Sequence, residues 1–233
     1  MAAPEGSSGR LRLVAGELDS KTVLSRTVLP SSAQGVWPPF HRLGEIAASV
    51  GRKLPAHAHE SEEVLTYLLE GFATVSVADG APASVEAPAV LLLAAPGKVV
   101  HAISPASAVR WVAVVVELPR TAGATLVSER YAPTTTGPLP DGTVQHRLLG
   151  AGAKFSSKAG VECSEIEFVA GGTTFRRIGR ERRAIVYAVR GRGSVDGTPV
   201  EEGEAALVEG VSGISVHGSQ GFRALLTIAP APS

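Results

Sequence analysis

The chain has 233 residues, enough for one large domain or two of roughly 100 residues each. Hydrophobic residues make up 44% and charged residues 19%, which excludes a chain too polar to bury a core. Lys plus Arg and Asp plus Glu both number 22, and that balance removes the electrostatic reason to expect nucleic acid or an anionic membrane as partner. Cys163 is the only cysteine, so neither an intrachain disulfide nor a cysteine-rich metal site is available. The first twenty residues lack the apolar core of a signal peptide, and no apolar run is long enough to span a bilayer. A cytoplasmic location is the expectation.

In chain order, the predicted elements are short and valine-rich. Residues 1–120 contain TVSVA (74–78), AVLLLAA (89–95) and VRWVAVVVEL (109–118). Short apolar runs bounded by Gly and Pro read as strands rather than helices. Residues 121–150, with YAPTTTGPLPDGT, read as a linker packed over the surface. LVSERYA at its start is assigned a short helix. Residues 151–233 return to strands with AIVYAVRG, GISVHG and FRALLTIA. The two halves repeat weakly, pairing Tyr67 with Tyr187, Gly71 with Gly191 and His101 with His217. A repeat of that length means two copies of one structural unit. The expected fold class is therefore all-β, with a barrel in 1–120 and another in 151–233.

The chemistry-bearing segment is GRKLPAHAHESEEVLTYLLEG (51–71), followed by PGKVVHAI (96–103). His57 and His59 are two apart, and on a strand such residues share a face. His101 comes from a separate strand after a Pro-Gly turn. If the two strands are neighbours in a barrel wall, three imidazoles converge, a donor set suited to iron, zinc, copper or nickel. Glu63 stands four residues beyond His59 and would add a hard oxygen. Glu60 and Glu62 read as a solvated charge run. Tyr67 is assigned to the pocket or the core, Trp37, Phe40 and Trp111 to the cores. His41 and His146 have no partner in sequence.

Gly51–Gly71 resembles the first motif of the cupins, and more closely that of the pirins and bacterial quercetinases. Their His-Pro-His, three residues, Glu, then Thr-Tyr-hydrophobic-Leu-Glu-Gly corresponds to His57-Ala58-His59, Glu63 and Thr66-Tyr67-Leu68-Leu69-Glu70-Gly71. The resemblance runs from about Trp37 to Ala229. It implies two tandem cupin barrels (double-stranded β-helix, or jelly-roll) with one metal in the N-terminal barrel, held by His57, His59 and His101. Iron, Fe(2+), is the expected ion, with zinc, nickel, copper or manganese as alternatives.

The family's fourth ligand, a glutamate two residues past the third histidine, is replaced here by Ile103. Three outcomes remain open: Glu63 serves as fourth ligand, three histidines hold the ion with open positions, or the site is weak or vacant. In the second barrel, Arg177, Gly179 and Arg183 match His57, His59 and Glu63 when counted back from Gly191, so no site is expected there. The surrounding arginines read as solvated or salt-bridged, with an anion site as the alternative.

The resemblance implies a dioxygenase cleaving flavonol-like or hydroxy-ketone substrates, with Glu63 as ligand or as base for the substrate hydroxyl. The alternative is a non-catalytic, metal-dependent binding or regulatory protein. A small-molecule substrate, no direct nucleic-acid or membrane partner, and a monomer or homodimer are expected. Cys163, with no paired base in sequence, is not expected to act as a nucleophile.

Overall fold

The computed structural model describes residues 10–19, 24–31, 34–52, 54–120 and 126–232. In chain order the strands are β1 (Arg10–Ala15), β2 (Glu17–Asp19), β3 (Leu24–Leu29), β4 (Phe40–Ala48), β5 (His57–His59), β6 (Glu62–Glu70), β7 (Phe72–Val77), β8 (Ala83–Glu86), β9 (Ala89–Ala95), β10 (Val99–Pro105) and β11 (Val109–Glu117). They continue with β12 (Val127–Tyr131), β13 (Thr134–Thr136), β14 (Thr143–Leu149), β15 (Glu162–Phe168), β16 (Gly172–Arg177), β17 (Arg182–Arg190), β18 (Arg192–Val195), β19 (Thr198–Glu201), β20 (Glu204–Glu209), β21 (Gly213–Gly218) and β22 (Arg223–Pro230). No helix among the described residues is long and apolar enough to cross a membrane.

One unit comprises Gly16–Thr134 and Leu148–Val161. Its sheets run β5-β10-β7-β8 and β12-β9-β6-β11-β4-β3-β2. The other unit takes the described residues up to Ala15, Thr135–Arg147, and those from Glu162 onward. Its sheets run β16-β21-β18-β19 and β1-β20-β17-β22-β15-β14-β13. Adding eleven to each strand number of the first unit reproduces the second, from β2/β13 to β11/β22. The one exception is the edge: β12 closes on β9, while the place beside β20 is taken by β1 from the start of the chain. The units are thus interleaved in sequence, where the sequence suggested consecutive segments 1–120 and 151–233. Residues 121–150, read as a linker, carry β12, β13 and β14; positions 121–125 lie outside the described residues.

The strands form where the sequence alternates or is buried on both faces. In β11 (VRWVAVVVE) only Glu117 is exposed, as suits a central strand paired on both sides. The segment LVSERYA, assigned a helix, contributes strand β12 instead. Val127 and Tyr131 are four apart, a spacing that fits a helix face and a strand face alike. The burial of VSERY alternates, and its ladder to β9 decides the matter. Gly71 joins β6 to β7 at φ 85°, and a β-carbon there would stand 2.0 Å from the Ala108 carbonyl oxygen. Only glycine fits. Gly191, its repeat partner between β17 and β18, has φ 78°.

A buried ion pair also repeats. On β4, Glu45 accepts a hydrogen bond from Arg110 Nε and lies 3.6 Å from Arg26 Nη1. On β15, Glu165 is wholly buried and accepts from Arg223 Nε at 2.6 Å. Val112 sits opposite Glu45 and Leu225 opposite Glu165, so the pair occupies one place in both barrels.

Candidate metal centre

Strand β5 is only three residues long, and its pairing with β10 sets His57 opposite His101 and His59 opposite Val99. Alternation turns His57 and His59 to the same side, toward the cavity, and the antiparallel register brings His101 between them. The Nε2 atoms of His57 and His101 stand 2.8 Å apart, those of His59 and His101 3.2 Å. The ring centroids lie 4.3 to 5.0 Å from one another. His59 and His101 are buried; His57 is exposed.

The outer nitrogens fix which way the rings present themselves. His57 Nδ1–H donates to the Pro55 carbonyl at 3.1 Å, and His59 Nδ1–H to the Glu62 carboxylate at 2.6 Å. In the neutral rings the Nε2 lone pairs therefore face inward. Three such nitrogens share the space with at most one proton between His101 and a neighbour. One cation at the centre would satisfy all three. Nitrogens bound about 2.0–2.1 Å from one ion, at tetrahedral or octahedral angles, lie about 2.9–3.4 Å apart. The separations of 2.8 and 3.2 Å agree with that requirement to about 0.1 Å. Burial, followed by the positive charge the neighbouring rings would carry, holds His101 down to about 4. His57 is also lowered, by burial above all. Both rings favour the neutral form that ligates.

Glu63 is not part of this cluster, and its expected role as fourth ligand or base is corrected. Its carboxylate is 1% exposed and accepts hydrogen bonds from Ser157 Oγ and from Lys158 N at 2.6 Å. Burial raises its pKa, against those same hydrogen bonds. The cause is the turn before β6, where Ser61 takes φ 56°. A left-handed residue resets the face count, so the alternation of 57 and 59 does not extend to 63. On β6 it is Val64 and Thr66 that face the cavity.

Glu62, read from sequence as solvated, takes the supporting role. One oxygen holds His59 and the other accepts from His41 Nδ1 at 2.9 Å. A carboxylate behind a ligating imidazole orients the ring and strengthens its basicity. His41 thus has a partner after all. A detectable signal existed in the spacing His59-x-x-Glu62 across a tight turn. His146 pairs with Thr135 and Glu167 in the other unit.

The cluster opens on a cavity of about 280 Å³ lined by apolar side chains from β4, β6, β10 and β11, among them Ile46, Ile103, Trp111 and Val115. Ile103 occupies the inward place two residues beyond His101, so an apolar group stands where the resemblance calls for a carboxylate. Tyr67 is buried on the opposite side of β6 and does not line the cavity.

The second barrel holds no such cluster among the described residues. Ile103 pairs with Val75, and Val216 with Val195; these valines stand four residues after Gly71 and Gly191. Ile103 thus matches Val216, and His101 matches Ile214. Ile214 pairs with Arg176 as His101 pairs with His57. The places of His57 and His59 are therefore held by Arg176 and Ile178, one residue before the Arg177 and Gly179 counted from sequence. Arg183 does match Glu63, and pairs with Glu209 at 3.0 Å. His217 does not match His101; it is exposed and bonded to Thr173 at 3.0 Å. Cys163 is buried, and burial pushes its thiol up to about 12, which suits no nucleophile.

No protein-family model matches the chain, and no curated protein matches it significantly. Solved structures do. A quercetin 2,3-dioxygenase from Acinetobacter baumannii superposes with a TM-score of 0.82 at 15% identity, over 96% of this chain and 79% of that one. The bacterial pirin YhhW from Escherichia coli, in complex with nickel(II), gives 0.80 at 18% identity over 96% and 100%. GK1651 from Geobacillus kaustophilus gives 0.80 at 19% over 95% of both. Fold and cluster together define a protein of two barrels with the cupin fold and a candidate metal centre in one of them. Its fold is that of the pirins.

Proposed function

We propose that this protein binds one divalent metal ion, iron in the first instance, through His57, His59 and His101, and acts as a dioxygenase of the quercetin 2,3-dioxygenase kind on a flavonol-like or hydroxy-ketone small molecule. The observation that carries the reading is the meeting of three inward Nε2 atoms at the wall of an apolar cavity. An ion held there would supply Lewis acidity and open positions for a substrate oxygen and O₂. The chain supplies the rest. Glu62 holds His59 in its ligating orientation, and Pro55 does the same for His57. Ile46, Ile103, Trp111 and Val115 exclude water from an apolar substrate body. With Glu63 turned away, no carboxylate among the described residues lines the cavity, and an ion on three neutral imidazoles would favour a hydroxylic substrate as its anion. The protein works in the cytoplasm as a monomer or homodimer, without nucleic acid or membrane.

The test is to load the protein with Fe(II), add quercetin, and follow its absorbance together with O₂ uptake. Turnover above that of free Fe(II), lost in His59→Ala, supports the reading; turnover no faster than free metal overturns it. The replacement of the fourth ligand by Ile103 favours one alternative, a non-catalytic protein whose metal state governs binding to a partner, because three neutral ligands retain an ion less firmly than four. Metal-dependent capture of one partner without oxygen uptake would select it.

A further inference from the structure

The cavity carries a second recognition element, Arg42, which no part of the metal-site reading uses. On β4, Arg42, Gly44 and Ile46 alternate onto the cavity side. The ladder sets Arg42 beside Val115 of β11, and Val115 beside Val64 of β6. All three line the cavity. Arg42 Nε lies 3.8 Å from where a β-carbon on Gly44 would stand. The side chain therefore lies back along its own strand, over the room that glycine leaves. Its charge is felt by His57, whose pKa it helps to lower. Arg42, Pro55 and His57 are the exposed lining residues, so they mark the mouth, while Ile103, Trp111 and Val115 are buried within.

Among the described residues no carboxylate pairs with Arg42, and no Asp or Glu lines the cavity. The acidic groups nearby are committed elsewhere: Glu45 to Arg26 and Arg110, Glu62 to His41 and His59. A divalent ion on three neutral imidazoles adds further uncompensated positive charge. An apolar cavity with that charge selects an anion with an apolar body. The planar guanidinium, with its fork of N–H donors, matches a carboxylate.

We infer that the ligand of this site is a hydroxy- or keto-substituted carboxylate with a ring-sized apolar body, its carboxylate held by Arg42 at the mouth and its other oxygen directed toward the histidine cluster. This rests on reading the cavity as the substrate site, and within the hydroxy-ketone class proposed above it picks out substrates that also carry a carboxylate.

The experiment is calorimetric titration of 2-, 3- and 4-hydroxybenzoate, and of the three corresponding hydroxybenzamides, into metal-free and nickel-loaded protein. At least one hydroxybenzoate is expected to bind about tenfold tighter than its amide, the difference a charge-assisted hydrogen bond makes. Arg42→Gln, an exposed substitution whose fold is checked by circular dichroism, is expected to bring acid and amide to parity in the metal-free protein. Equal binding of acid and amide by the wild type, no binding of any hydroxybenzoate, or a preference that survives in Arg42→Gln would each overturn the inference. The metal-free arm separates the two claims: an Arg42-dependent preference there stands even if nickel loading or quercetin turnover fails.

Discussion

The two barrels are built on one plan and filled differently. Strand for strand the second repeats the first, down to the buried pairs Glu45–Arg110 and Glu165–Arg223. Where the first has His57, His59 and His101, the second has Arg176, Ile178 and Ile214. Ile178 and Ile214 join a continuous apolar core with Phe168, Val216 and Phe222. Arg176 is left with its Nε and Nη2 buried and, among the described residues, without a hydrogen-bond acceptor. Burial lowers its pKa, against the attraction of Asp141. The comparison teaches that the ladder makes the place and the side chains decide its use. A strand pair of this geometry points three groups at one spot: imidazoles leave a cavity and a ligand set, isoleucines close it.

The repeated ion pair gives the sharpest contrast. Arg223→Met leaves the wholly buried Glu165 carboxylate without its main partner and is expected to cost about 3–5 kcal/mol, read from the urea midpoint. Arg110→Met should cost visibly less, because Arg26 remains beside Glu45. Equal losses would mean that Arg26 gives Glu45 no support of its own. Next in size is the outer carboxylate. Glu62→Ala is expected to weaken metal binding about 10–100-fold, while Glu63→Gln leaves metal affinity unchanged and lowers only stability. The reverse pattern in a competition titration would restore Glu63 to the site.

Ile103→Glu should raise metal affinity about tenfold by adding an anionic ligand where an apolar side chain now stands; unchanged affinity would show that position 103 cannot reach the ion. The smallest effect is in the second barrel. Arg176→Met, which removes a cation whose Nε and Nη2 are buried without an acceptor among the described residues, should leave stability equal or higher by about 1 kcal/mol. A marked loss would reveal an anion bound there.

Much of this was legible in the sequence. Valine-rich runs between glycines gave strands, Tyr67/Tyr187 and Gly71/Gly191 gave the repeat, and His57-x-His59 with His101 gave the cluster, because each depends on local alternation. The exchange of Glu63 for Glu62 was legible only as the spacing His59-x-x-Glu62, not as a choice between the two carboxylates. It turns on the left-handed conformation of Ser61, a residue other than glycine, and on Ser157, 94 positions away. The match of His217 to His101 failed for a similar reason. The intervals between β7 and β10 and between β18 and β21 differ in length, so identical letters fall on opposite faces. The entry of β1 into the second barrel's sheet has no local signature at all, since edge pairing is chosen by the finished sheet.

The central claim is that three histidines of one barrel hold one metal ion and the other barrel holds none. Elemental analysis of wild type and His59→Ala, purified and reloaded side by side, tests it directly. One ion per wild-type chain and almost none in the variant is the expected result, with both folded by circular dichroism. The same metal content in the two proteins would contradict it.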